Sequence, residues 1–133
     1  MATAPIFATT IKNGIASLSA ACGATDFGTA APTNVSTLLT AGASGSKLRR
    51  IKAKNRGTAS PAANILRIYL LVSGSYHPLL EIDIPAGSTP AAGVKSQDSD
   101  WFTLDLDIPS GTSIAIAQTV ANSIAVICEY FDY

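Results

Sequence analysis

The sequence predicts an all-β chain, an antiparallel β-sandwich of jelly-roll-like form with about 7–8 strands. Three observations lead there. Asn64 to Ile84 reads as one β-hairpin. Turn residues recur at regular short intervals along the rest of the chain. No segment shows sustained helical periodicity with caps. The length, 133 residues, suits one domain able to bury its own core. Residues 1–33 are expected as a small-residue-rich N-terminal arm or edge strands, and residues 34–133 as the β-sandwich domain.

The hairpin carries most of this. In its first arm Leu66, Ile68, Leu70 and Val72 share one parity, while Ile65, Arg67, Tyr69 and Leu71 share the other. Apolar side chains on both parities suit a strand covered on both faces. In the second arm Leu80, Ile82 and Ile84 alternate with Glu81 and Asp83, the pattern of a half-buried strand. Ser73-Gly74-Ser75 supplies the turn.

The other elements follow in chain order. Residues 1–33 are rich in Ala, Thr, Ser and Gly, with short apolar pieces at Ile6-Phe7 and Ile15 to Leu18. They form either an edge strand or two, or an arm that orders on a partner, the arm being favoured. Val35 to Thr40 reads as a short strand. Lys47 to Arg56 is a basic strand in which Leu48 and Ile51 have opposite parity, so a bulge near Arg49-Arg50 is required if both are buried. Pro85 to Gly93 is a loop. Between Asp98 and Asp107, Phe102, Leu104, Leu106 and Ile108 are expected inward, with Trp101, Thr103, Asp105 and Asp107 outward. Pro109-Ser110-Gly111 turns the chain into a strand holding Ile114 and Ile116, and Ile124 to Phe131 is the last strand.

Charged residues are 14% of the chain, against about a quarter in ordinary domains, and apolar residues are 47%. So few charges imply that part of the surface is covered by other copies or a partner. Net charge is zero, but eight of the nine basic residues lie at or before Arg67 and eight of the nine acidic ones at or after Glu81. Two arrangements satisfy this split: strand-to-strand pairing inside one domain, or a positive and a negative face meeting between subunits. On the second, the contact residues are Lys47, Arg49, Arg50, Lys52, Lys54, Asp105 and Asp107. Trp101 joins them as an interface residue, because a lone Trp on a polar strand face is covered from outside. The alternative is a ring folded back over its own edge.

The cysteines, Cys22 and Cys128, make no disulfide framework and are expected reduced, as small apolar fillers. The sequence MATAPIFATTIKNG has no basic leader or continuous apolar core, so no signal peptide is expected and synthesis belongs in a cytoplasm. No stretch is long and apolar enough to span a bilayer as a helix.

Chemistry is sparse. His77 is the one histidine and has no partner at metal-ligand spacing. Neither phosphate-binding glycine motif is present. Asp98, Asp100, Asp105 and Asp107 lack the spacing of an EF-hand, and a glycosidase pair among them has no aromatic platform beyond Trp101. No catalytic residue, metal or cofactor is expected. Six of the nine Lys and Arg fall between Lys47 and Arg56, but the acids cancel their field and no aromatics interleave, which argues against nucleic acid.

From Val35 to Tyr133 the chain resembles a family of small virion-associated proteins of tailed bacteriophages. The resemblance lies in LLTAGASGSKLRRIKAK (Leu38 to Lys54), a Gly57-Thr58 loop, the Leu66 to Pro85 hairpin, and LDIPSGTSIAIA (Leu106 to Ala117). The end on Phe131-Asp132-Tyr133 completes it. It implies a head decoration (cement) protein or another virion component, the decoration protein favoured, and not an enzyme. Such a protein binds the phage major capsid protein and itself, as a homo-oligomer with the trimer favoured. It resides in the virion after assembly in the host cytoplasm, and has no membrane partner. The rival function is a tail- or fibre-associated module that binds carbohydrate, with Trp101, Tyr76 and Tyr69 as its candidate platform.

Overall fold

The computed structural model describes residues 10–23, 25–29, 31–57 and 61–133. Ile6-Phe7 of the expected arm and Thr58 of the Gly-Thr loop lie outside the described residues. Eight strands run in order: β1 Thr10–Leu18, β2 Ser36–Thr40, β3 Ser46–Asn55, β4 Asn64–Val72, β5 Ser75–Ile84, β6 Phe102–Ile108, β7 Thr112–Gln118 and β8 Ile124–Asp132. They make two antiparallel four-stranded sheets, β1-β8-β3-β6 and β2-β7-β4-β5. The chain is the all-β sandwich that the turn spacing predicts.

The connectivity has a simple logic. β1 pairs with β8, β2 with β7, β3 with β6 and β4 with β5. The chain is one long hairpin whose tip is the β4–β5 turn. Rolling that hairpin sends alternate pairs into opposite sheets, and the β3–β8 and β4–β7 ladders close the roll. This is the jelly roll. At the tip, Ser73 (φ 50°) and Gly74 (φ 80°) take the two left-handed positions of a two-residue turn that matches strand twist.

The core lies between the sheets. Leu48, Ile51, Leu66, Ile68, Ile82, Ile84, Ile114, Ile116, Ile124 and Val126 form it, and none is more than 5% exposed. β4 is covered on both faces. Leu66 and Ile68 enter this core. Tyr69 on the opposite face meets a second cluster, in which Cys22, Phe27 and Val35 from residues 19–35 cover Ala115 and Ala117 of β7. Phe27 stands edge-on to the Tyr69 ring at 5.6 Å. Arg67 shares that face, with its guanidinium 5.4 Å from the Phe27 ring and 3.5 Å from the Glu81 carboxylate. β5 alternates as expected over Glu81 to Ile84. One extra residue, Leu79, shifts its register against β4, so that Leu79 and Leu80 both reach the core.

Both cysteines are free and buried. Burial pushes the Cys128 thiol up to about 11. It therefore acts as packing material rather than as a nucleophile.

One expectation is corrected. Leu104, Leu106 and Ile108 of β6 turn to the core and Thr103, Asp105 and Asp107 away from it, as expected, but Phe102 does not follow, and β6 carries a bulge. Leu48 of β3 faces Leu106 while Arg50 faces Thr103, which leaves Leu104-Asp105 as the extra length, with Asp105 at φ 47°. β6 is also an outer strand. Phe102 is therefore 41% exposed rather than in the core, and only Ile108 is fully enclosed.

Gly14 of β1 sits where β1 passes close to β2 of the other sheet. A Cβ there would lie 2.6 Å from the Leu38 carbonyl oxygen of β2 and 2.7 Å from Cys128 Sγ. Gly14→Ala is expected to cost about 1–3 kcal/mol, as overpacking does. Urea unfolding followed by Trp101 emission checks this, and an unchanged midpoint would mean that β2 yields freely.

Candidate functional site

The basic strand is β3, an inner strand of the first sheet, with β8 on one side and β6 on the other. Its bulge falls at Arg49, where the sequence places it. Leu48 pairs with Tyr130 and Arg50 with Glu129, leaving Arg49 as an extra residue against β8. The parity flip buries Leu48 and Ile51 completely. It leaves Arg49, Arg50, Lys52 and Lys54 on the outer face.

These cations find acids in their own chain. Arg50 donates from Nε (2.8 Å) and Nη2 (2.7 Å) to the two carboxylate oxygens of Glu129, a bidentate fork. Arg49 stands 3.9 Å from the same carboxylate. Lys52 and Lys54 lie 3.1 and 3.6 Å from Asp98. The split of charge along the sequence is therefore strand-to-strand pairing within one domain. Arg50 holds the Glu129 carboxyl below its ordinary value, chiefly by hydrogen bonding. For Asp98 burial acts in the opposite direction, but the Asp100 backbone N–H and the two lysines outweigh it, and its pKa is lowered. Asp132 is lowered by Lys12 at 2.6 Å and by the Ser46 hydroxyl, which donates to it at 2.6 Å.

Trp101 follows the Asp98–Asp100 turn and lies beside this row. The Arg50 guanidinium carbon sits 4.0 Å from the ring centroid and the Lys52 ammonium 5.7 Å. One face of the ring is thus covered by its own β3, and the residue is still 39% exposed. Lys47 is half-buried, opposite Asp107 on β6 and Phe131 on β8. Asp107 accepts a hydrogen bond from the Tyr133 hydroxyl at 2.6 Å. Asp105 is exposed at the bulge. The structure therefore joins Arg49, Arg50, Lys52, Lys54 and Trp101 into one patch and sets Asp105 and Asp107 apart from it along β6.

Two partners in this patch were not among the expected contact residues, Glu129 and Asp98, the latter weighed only as a possible cation ligand. Glu129 is an isolated acid in an apolar strand (Val126 to Phe131), and that isolation is the signal of an outward position. Apolar side chains complete the face. Ile11 and Ile15 of β1 are 78% and 68% exposed, and their register partners on β8, Phe131 and Ile127, are half-buried. Elsewhere, a shallow hollow of about 360 Å³ between Ala63-Asn64-Ile65 and Asp83-Ile84-Pro85 has Asp83 as its one titratable lining residue. Among the described residues no three His, Cys, Asp or Glu side chains stand close enough to hold a metal ion. No helix among them is long and apolar enough to cross a membrane.

The lowered pKa values of Glu129, Asp132 and Asp98 set the sign of an acid response. Each group favours its ionised form in the fold. The stability it contributes is present above its unfolded pKa and is lost as pH falls through its folded one. The unfolding midpoint is expected to drop as pH goes below about 4. Glu129→Gln is expected to make that drop shallower. Denaturant titrations across the acid range check it, and parallel profiles for the two proteins would remove Glu129 from the account.

No family model matches the chain, and no curated protein does. Among solved structures the chain is similar to one described as the cyanophage Pam1 capsid asymmetric unit. The two share 15% sequence identity and a TM-score of 0.41, over 100% of this chain and 92% of that one.

Proposed function

We propose that this chain is a structural protein of a tailed-phage virion, a head decoration protein that binds the major capsid protein and other copies of itself. The trimer is the favoured number of copies. The observation that carries this is the outer face of the first sheet. Its cations are neutralised by Glu129 and Asp98 of the same chain, while Ile11, Ile15, Trp101 and Phe102 stay exposed on or beside the outer strands. Such a surface offers apolar area beside cations that are already paired, which suits contact with protein. The resemblance over Val35 to Tyr133 supplies the virion context. The role is mechanical rather than enzymatic. A closed jelly roll placed over a junction between shell subunits ties them together against the pressure of packaged DNA.

The rival, a tail or fibre module that stacks sugars on aromatics, is less well served. Tyr69 is fully buried, Tyr76 packs edge-on against it at 6.1 Å, and Arg50 occupies one face of Trp101.

Mass spectrometry of purified particles tests the proposal through copy number. Copies on the scale of the shell subunits are expected. A handful per particle would move the protein to neck or tail and overturn the decoration role. Absence from the particle would overturn the virion role altogether. With β3 neutralised inside the chain, fluorescence anisotropy at about 150 mM salt is expected to show no sub-micromolar affinity for DNA. Tight binding there would point to a packaging role instead.

A further inference from the structure

Among the described residues, six large apolar side chains are exposed: Ile11, Ile15, Val72, Val94, Trp101 and Phe102. Four of them lie on or next to two strands. Ile11 and Ile15 project from β1, Phe102 from β6, and Trp101 directly precedes β6. In the order β1-β8-β3-β6 these are the opposite edges of one sheet. β1 pairs only with β8, and β6 only with β3, among the described residues. An outer strand with exposed apolar side chains is a surface that other chains cover, by edge pairing or side-chain contact.

The edges differ in charge. β6 presents Asp105 and Asp107, both exposed. The one charged residue of β1 is Lys12, whose side chain is 46% exposed beside Asp132. Packing β6 against a second β6 would set carboxylates against carboxylates, which is costly at an interface. Packing β1 against a second β1 would leave Trp101 and Phe102 uncovered. Packing β1 against β6 covers all four apolar side chains and sets no carboxylate row against another, because Lys12 already neutralises Asp132 within its own chain.

We propose that copies of this chain join head to tail, the β1 edge of one copy against the β6 edge of the next, and close into a ring. This deepens the self-association in the proposed function and rests on that part of it. A contact between two different surfaces repeats from copy to copy, and it ends only when the rotation brings the last copy back to the first.

The test uses two variants of the full chain. Ile11→Lys with Ile15→Lys blocks the β1 edge. Phe102→Lys blocks the β6 edge, with Trp101→Asp as a second variant at that edge. Circular dichroism confirms that each is folded, and light scattering on a sizing column gives the mass at micromolar concentration. The wild-type chain is expected at a whole multiple of 13.6 kDa greater than one, and each variant alone at 13.6 kDa. An equal mixture of the β1 and β6 variants is expected at twice 13.6 kDa and no more, because each pair has one intact junction. Three results overturn the proposal: a monomeric wild-type chain, a β6 variant that keeps the full assembly, or a mixture that stays monomeric. A chain abundant in particles yet monomeric in solution would remove the ring and leave the virion role standing.

Discussion

The fold turns on one extra residue, Arg49, in the inner strand of the first sheet. A β-strand presents alternate side chains to opposite faces, so a regular β3 could bury Leu48 or Ile51 but not both. The bulge lets both enter the core at 0% exposure, while the shifted register is met by β8 on one side and β6 on the other. It also sets two arginines side by side on the outside. Both reach the carboxylate of Glu129, which is paired across from Arg50. Core packing and surface electrostatics of this sheet thus share a single backbone feature.

The rolled hairpin makes other demands. Its two halves meet through long-range ladders, and the inner strands of the second sheet have two faces to cover. Residues 19–35 cover the outer one with Cys22, Phe27 and Val35. The strand start at Asn64 is fastened in a different way. Its side-chain oxygen accepts hydrogen bonds from the N–H groups of Thr119 and Val120 at 3.1 and 2.9 Å, and its amide donates to Gln118 at 2.9 Å. A buried amide with its partners in place ties β4 to the end of β7. Losing it would leave the part-buried Val120 N–H without this acceptor and the buried Gln118 side-chain oxygen without this donor, at about 1–3 kcal/mol each.

These constraints shape the surface available for function. Charges that the chain needs to separate its inside from its outside are spent on each other within the sheet. What remains unsatisfied is apolar area on the outer strands, where a sheet that is not closed on itself must end. The apolar area left open therefore lies at the edges and on the flat outer face of the first sheet. Arg50 stands over one face of the Trp101 ring and leaves the rest of it open.

Much of this was legible in the residues themselves. Period-two patterning and turn chemistry are local, so the all-β class, the Ser73-Gly74 turn and the two-sided burial of β4 could be read directly. The opposite parity of two apolar residues in a basic strand located the bulge near Arg49-Arg50. Other features depend on which strands become neighbours, and that is decided only when the roll closes. The second bulge, at Leu104-Asp105, answers the first one across the β3–β6 ladder, and nothing in β6 announces it. Phe102 alternates like a core residue and is exposed because β6 is the last strand of its sheet. Glu129 and Asp98 lie 79 and 46 residues from the arginine and the lysine they neutralise, Arg50 and Lys52. Local sequence sets which side chains can be buried or paired; the closure of the sheets decides which of them are.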